Sequence, residues 1–544
     1  MFSRLPLLLL SLLPLLPSAT AQAPAQAPAQ AAKAPTGNRR PAAEELQRPP
    51  DIWRVGFDSI QAGPCRKWLT VLASDKMEGR GTGYPGFERA ARWLAARFAD
   101  FGLEPVGDDK SYFQRVPFES RQVASKKSWL ALQDDEGEEL LRVEVGKGLS
   151  GSIREPSTMT KSLVFVCARS AEDIDPKILR GKAVIFFDQS ELGPYGRTKG
   201  YIALRRSRPG AILVIDEARA KKDPASSKSV RYSGRKNNRS GRWRRPNEYA
   251  ITPEVARKLL GKAGLELKLD KDTKGGTTPL ADFSIQAHIE LETGPAFACN
   301  VVGMIRGSDP TLAAEIVGIG SHLDHLGKRG TTIYPGADDD GSGTTGLLAI
   351  ARAFSLNKHK PKRSLLFMAF CGEELGLIGS NYYVEHPIFE NSRMVAEFQM
   401  DMIGRNEEHP RSGEKAADNV NSLHLVGSKK LSNDLHRICL KENDAYTRFA
   451  FEYDEENVFH RSDHKNFARK DIPIAFFFTG FHPQYHQPTD TVDRIDFPKL
   501  ARVARLVYSI AWTTAEREQR PKVDRTYAEI LEAESGQRQR RRRR

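Results

Sequence analysis

Residues 315–325 read EIVGIGSHLDH, an apolar run over 315–319 that passes within two residues into two imidazoles and a carboxylate. A short continuous apolar run of this kind predicts a strand covered on both faces. Three further runs end alike. Residues 364–370 (SLLFMAF) lead into Cys371, Gly372, Glu373 and Glu374, residues 394–400 (MVAEFQM) into Asp401, and residues 472–478 (IPIAFFF) into GFHPQYH at 480–486. A fifth cluster, Asp338, Asp339 and Asp340 followed by Gly341, Ser342 and Gly343, precedes a helical repeat through Leu347, Leu348, Ile350, Ala351 and Phe354. Buried strands alternating with amphipathic helices predict an α/β fold with a mixed, mostly parallel central sheet and helices on both faces. In such an open sheet the loops beyond the carboxyl ends of the strands converge on one crevice. Side chains far apart in sequence can therefore meet there.

Composition bounds the rest. The chain has 544 residues, 39% hydrophobic and 28% charged, enough for two or three domains and too apolar for a disordered polymer. The formal net charge of +14 resides in two places, eleven basic residues against Asp223 over residues 219–245 and six arginines at Arg538 and 540–544. What remains is slightly acidic, so the patches read as a solvated loop and tail and nucleic acid is not an expected partner. Contact of these patches with an anionic surface is an expectation. All twelve histidines lie at His288 or later, which confines imidazole chemistry to the second half of the chain. Five scattered cysteines with no C-x-x-C offer no thiolate zinc site and read as buried small apolar residues. There is no G-x-S-x-G elbow or H-E-x-x-H helix, and Gly318-Ile319-Gly320 lacks the third glycine of a dinucleotide fingerprint. Cys371 is flanked by carboxylates, which disfavour a thiolate nucleophile.

Residues 1–21, with Arg4, an apolar stretch and a closing Ala-Thr-Ala, read as a cleavable signal peptide, so the expected location is periplasmic or extracellular. The Ala, Pro and Gln of residues 22–50 predict an extended linker, and no membrane span is expected after cleavage. The first part of the catalytic domain is expected at 51–120 and a β-rich insert at 121–292. The main part of the catalytic domain follows at 293–518, and a basic tail at 519–544.

So many carboxylates in one crevice repel each other unless cations neutralise them. Imidazole and carboxylate together suit Zn²⁺, whereas an all-oxygen set suits Mg²⁺ or Ca²⁺. Two metals about 3.5–4 Å apart need a bridging carboxylate and terminal ligands on each side.

Together the segments SHLDHLG, YPGADDDGSG, FMAFCGEELGLIGS, MDMIG, RSDHKNF, DIPIAFFFTG and YHQPTDTVD resemble the co-catalytic zinc exopeptidases of the bacterial leucyl aminopeptidase and glutamate carboxypeptidase type. LASDKMEGRGTGYPG from Leu72 is similar to that family's N-terminal signature. GKAVIFF and RPGAILVIDE in the β-rich insert resemble a protease-associated domain. The resemblance implies two Zn²⁺ per chain, with Asp339 bridging, His486 and Glu374 completing one site, and His322 and Asp401 the other. It implies Glu373 as general base on a metal-bridging water and Asp324 as the acid that orients His322. Tyr485 stands where some relatives place an oxyanion donor. Others use a tyrosine just before the S-D-H segment, where this chain has Phe459. His325, His464 and His482 are expected as wall residues or as residues behind the ligands, rather than as ligands. The implied activity is aminopeptidase action on peptides with a free N-terminus. The alternatives are a carboxypeptidase or dipeptidase, a single-zinc glutaminyl cyclase-like acyltransferase, and a metal-free, receptor-like binding module.

Overall fold

The apolar runs become neighbouring strands of one sheet. In the computed structural model, which describes residues 46–150, 157–193, 197–222, 229–234, 246–409, 413–454 and 457–543, these strands are β1 (Cys299–Ile305), β2 (Ile316–His322), β3 (Ser364–Phe370), β4 (Met394–Met400), β5 (Ser422–Val426) and β6 (Ile474–Phe478). The signal region, most of the linker and most of the basic segment lie outside the described residues. The sheet order is β1-β3-β2-β4-β6-β5, with Glu104–Pro105 and Ala450–Glu452 at the edges and Phe113–Arg115 also paired to β1. Its three central pairings, β3 with β2, β2 with β4 and β4 with β6, are parallel, while β1 and β5 run antiparallel. The sheet is therefore mixed and parallel at its centre.

β2 runs through His322 rather than ending at residue 319. Gly320 makes the extension possible, because a Cβ there would lie 2.4 Å from Gln399 Oε1 and 2.6 Å from Glu397 Oε1, both on β4. Only a residue without a side chain lets these long polar groups cross the strand.

Helices cover both faces. On one side α1 (Pro85–Asp100), α2 (Gly341–Leu356) and α3 (Phe497–Glu516) pack Phe87, Leu94, Leu347, Phe354, Leu506 and Tyr508 onto the sheet. The other side carries Met368, Tyr383, Phe467 and Ile472. The five cysteines are buried and free.

Residues 129–289 build a second, eight-stranded sheet with its own core around Leu130, Leu163, Ile185, Leu213, Tyr249 and Ile285. It contains parallel strands with helices such as Lys199–Arg206 and Pro253–Lys262, so it is less purely β than its sequence texture suggests. A small sheet of Ser229–Tyr232, Phe118–Val123 and Leu291–Ala296 lies where the chain leaves and re-enters the main sheet. All of this belongs to one compact unit, Leu46–Arg544. The segment read as a basic tail contains a helix, Tyr527–Arg543, whose Ile530 is buried beside Leu431 and Phe459. Among the described residues no helix is long and apolar enough to cross a membrane.

Candidate metal centre

The carboxyl ends of β2, β3, β4 and β6 deliver their polar residues to one place. His322 is the last residue of β2, Glu373 and Glu374 follow β3, Asp401 follows β4, and His486 sits in the loop after β6. Asp339 enters from the turn before α2. One of its oxygens lies 3.4 Å from His322 Nε2 and the other 3.1 Å from His486 Nε2. Asp401 approaches His322 Nε2 at 3.5 Å, and Glu374 approaches His486 Nε2 at 3.2 Å. A tetrahedral ion bonded at 2.0–2.2 Å to N and O donors spaces those donors about 3.3–3.5 Å apart. The His322 separations of 3.4 and 3.5 Å match that spacing, and the His486 separations of 3.1 and 3.2 Å fall just short of it. Imidazole and carboxylate donors gather in two neighbouring groups that could each hold a divalent ion, His322 with Asp340 and Asp401, and His325 with Asp339 and Glu374.

Electrostatics agree. Burial works against charge on His486, yet Asp339 and Glu374 outweigh it and push its pKa up to about 10. His322 is likewise raised well above the usual imidazole value against burial, by Asp401 and Glu373. Protons are held where cations fit. Glu373 is raised well above the carboxylate range by burial and by Asp401, Asp463 and Glu374.

The asparate turn is held by main-chain hydrogen bonds. Asp340 caps α2 by accepting from Gly343 N–H at 2.9 Å, and it also accepts from His322 N–H at 3.0 Å and Met402 N–H at 3.1 Å. Asp340 thus ties β2, α2 and the loop after β4 together, while Asp339 faces the imidazoles. Asp338 accepts from Gly404 N–H at 2.7 Å, and Asp490 accepts from the N–H groups of Asp338 and Asp339 at 3.0 and 3.2 Å.

Asp324 lies beside His322. β2 ends at His322, so strand alternation does not set its direction. His322 Nδ1 lies 3.0 Å from the Asp324 main-chain carbonyl and 3.8 Å from its carboxylate. That carboxylate accepts from Glu373 N–H at 3.1 Å, and burial pushes it up to about 6. Asp324 therefore links the loop after β2 to the loop carrying Glu373.

A small cleft opens over Asp339, Glu373 and Asp401, walled by Met402, Val458, Phe476, Phe478, Phe481 and Tyr485, with Arg461 and Ser462 also lining it. Tyr485 stacks on His486 at 3.9 Å, its hydroxyl 3.5 Å from Arg461. Phe459 is buried and does not line the cleft. His325 is nearer the donors than a wall residue, with Nδ1 2.9 Å from Glu374. His482 lies 3.2 Å from Asp338, and His464 bonds the Phe459 carbonyl at 3.0 Å. Arg80 and Asp490 were missed as site residues. Both stand inside the quoted motifs, but their partners lie far away in sequence.

Fold and donor set combine an open α/β sheet with a carboxylate that lies between two imidazoles. Residues 300–511 match the model of Peptidase family M28. Aminopeptidase YwaD of Bacillus subtilis (strain 168) is 30% identical over 216 residues, 38% of this chain and 43% of that protein. A probable leucine aminopeptidase of Trichophyton verrucosum is 28% identical over 220 residues, 39% of this chain and 57% of its own. The chain thus spans about half the length of these curated relatives. The solved aminopeptidase from Aneurinibacillus sp. strain AM-1 aligns over 86% of this chain and 97% of its own, at 21% identity and a TM-score of 0.47.

Proposed function

We propose that this protein is an exported di-zinc aminopeptidase. The observation that carries the reading is Asp339, whose two oxygens each face a different imidazole, His322 on one side and His486 on the other. His322 and Asp401 would hold one metal, His486 and Glu374 the other, with Asp339 shared. Bound there, the metals would supply Lewis acidity, polarising a carbonyl and lowering the pKa of water from about 15.7 towards ~7.

The chain's own residues do the rest. Glu373 lines the cleft beside Asp339 and Asp401, where it would take a proton from the attacking water and return it to the leaving amine. Tyr485 stays protonated, because burial raises its pKa, so its hydroxyl can donate to the oxyanion. The apolar wall of Met402, Val458, Phe476, Phe478 and Phe481 favours an apolar first side chain. The carboxylates around the centre attract the cationic α-amine of a peptide. The insert resembling a protease-associated domain would screen larger substrates.

Arg461 supports a second reading. It lies on the cleft with its guanidinium 4.7 Å from the Phe481 ring, where it could meet an α-carboxylate, as a carboxypeptidase requires. A panel of aminoacyl-anilides decides, run against amino-blocked and carboxyl-blocked peptides, with chelator and zinc add-back. Cleavage of free-amine substrates that is lost on chelation and restored by zinc, with close to two zinc per chain, is the expected result. Cleavage of amino-blocked peptides alone overturns the aminopeptidase assignment.

A further inference from the structure

The N-terminal motif around Arg80 lies more than 200 residues before the matched family region, yet it reaches the centre directly. Arg80 is 1% exposed and sits in a left-handed turn with φ of 53°. Its guanidinium donates to four main-chain carbonyls, those of Leu323 (2.9 Å), Leu72 (2.9 Å), Pro335 (2.6 Å) and Gly336 (2.7 Å). Leu323 follows the ligand His322, and Gly336 precedes the aspartate turn. The Arg80 carbonyl accepts from His325 N–H at 3.2 Å, and that of Gly79 accepts from Gly327 N–H at 2.9 Å. Thr82 Oγ1 accepts from Gly372 N–H at 2.9 Å, directly before Glu373, and its hydroxyl also reaches Asp324. Residues 79–82 thus touch three of the loops that carry the donors. Gly79 allows the approach, since with φ of 66° a Cβ there would lie 2.3 Å from the Tyr334 carbonyl and 2.5 Å from that of Gly327.

A buried guanidinium is costly to desolvate, and this one is retained against that cost by four carbonyls and by the fields of Asp340, Asp339, Asp490 and Asp324. Five donors in a fixed fork suit the task, because a lysine ammonium cannot reach the same carbonyls together. We propose that residues 79–82 form the positioning clamp of the metal centre. In this assignment Arg80 fixes the loops of His322 and Asp339, and Thr82 fixes the loop of Glu373 and Glu374. The proposal rests on the metal-centre reading above.

Charge and geometry predict opposite signs, which makes the test sharp. Removing the Arg80 charge alone would tighten binding of a cation among carboxylates. Removing its four anchors would loosen the ligand geometry. The full chain and its Arg80→Gln, Arg80→Lys and Thr82→Val variants are titrated with Zn²⁺ against a chromophoric chelator, with near-ultraviolet circular dichroism on each. Supporting groups around metal ligands typically contribute about 10–100-fold in affinity. The expected result is a native dichroism spectrum with zinc affinity 10- to 100-fold weaker in both Arg80 variants, lysine failing to rescue, and a smaller loss in Thr82→Val. If Arg80→Gln does not fold, Arg80→Lys and Thr82→Val carry the test. Folded variants that bind zinc within twofold of the parent, or more tightly, overturn the clamp. A parent chain that takes up no zinc overturns the metal-centre reading together with it.

Discussion

Glu373 and Glu374 are adjacent, yet their environments separate them. Glu374 is drawn to the imidazoles of His325 and His486, and its pKa falls below the ordinary value although burial opposes this. Glu373 faces Asp401, Asp463 and Glu374, and its pKa rises. One suits a ligand and the other a base. Glu373→Gln is therefore expected to lower turnover by about 10²–10⁴-fold while zinc content, measured by atomic emission, stays near that of the parent. A variant with full activity would remove Glu373 from the mechanism. Asp339→Asn is the opposite case. It neutralises the group that both imidazoles face, so loss of zinc and of activity together is expected, and an unchanged metal content would contradict its shared position.

Among the elements, the helix Asn433–Tyr446 and α3 bury a carboxyl between them. Glu442 is 4% exposed, accepts from Thr513 Oγ1 at 3.0 Å and leaves Oε2 without a partner. Burial pushes its pKa up to about 7 from 4.5, against the hydrogen bonds of Thr513 and Ser509 and the charge of Lys441. A raised carboxyl keeps its proton in the folded chain and loses it on unfolding. Its contribution is thus fully present below about pH 4.5 and is lost as pH rises through about 7. Glu442→Gln should therefore stabilise the protein at pH 8 by at most on the order of 3 kcal/mol and change little at pH 4.5. Thermal midpoints at the two pH values check this, and an equal shift at both would contradict it. The elements differ in how legible they were. The strands 364–370 and 394–400 stand where the sequence placed them, because two-sided burial leaves an unbroken apolar run. The two-residue edge strand Glu104–Pro105 leaves no pattern at all. His322, Glu373, Glu374 and Asp401 stood out in the sequence because each lies within a few residues of the end of such a run, and Asp339 because it stands in an aspartate cluster before a helical repeat. Arg80 was not legible as a site residue, because its role exists only through carbonyls whose side chains say nothing about it. The end of β2 was not legible, because it is set by the pairing of His322 with Phe370 and no local signal marks it.

For the whole molecule, the question is whether the second sheet is needed to hold the first. Its ends meet. Val123 pairs with Leu291, and Ala124 N–H donates to the Glu290 carbonyl at 2.9 Å, so the chain leaves and returns on neighbouring strands about 5 Å apart. A gap of that size is closed by a hairpin turn of two to four residues. The core around Leu130, Ile185 and Tyr249 is separate from the core that carries α1, α2 and α3. Replacing residues 125–289 by a short Asn-Gly turn is thus expected to give a soluble chain that keeps its zinc and cleaves small aminoacyl-anilides. The strand Ser229–Tyr232 leaves with the insert, exposing Phe118, which packs on Tyr232 at 5.7 Å, and Gly83, which abuts Val230. Some loss of thermal stability follows from that exposure. The larger effect should fall on long peptides, whose KM should change while that of anilides stays near the parent value. A shortened chain that folds but no longer binds zinc would show that the second sheet supports the centre itself.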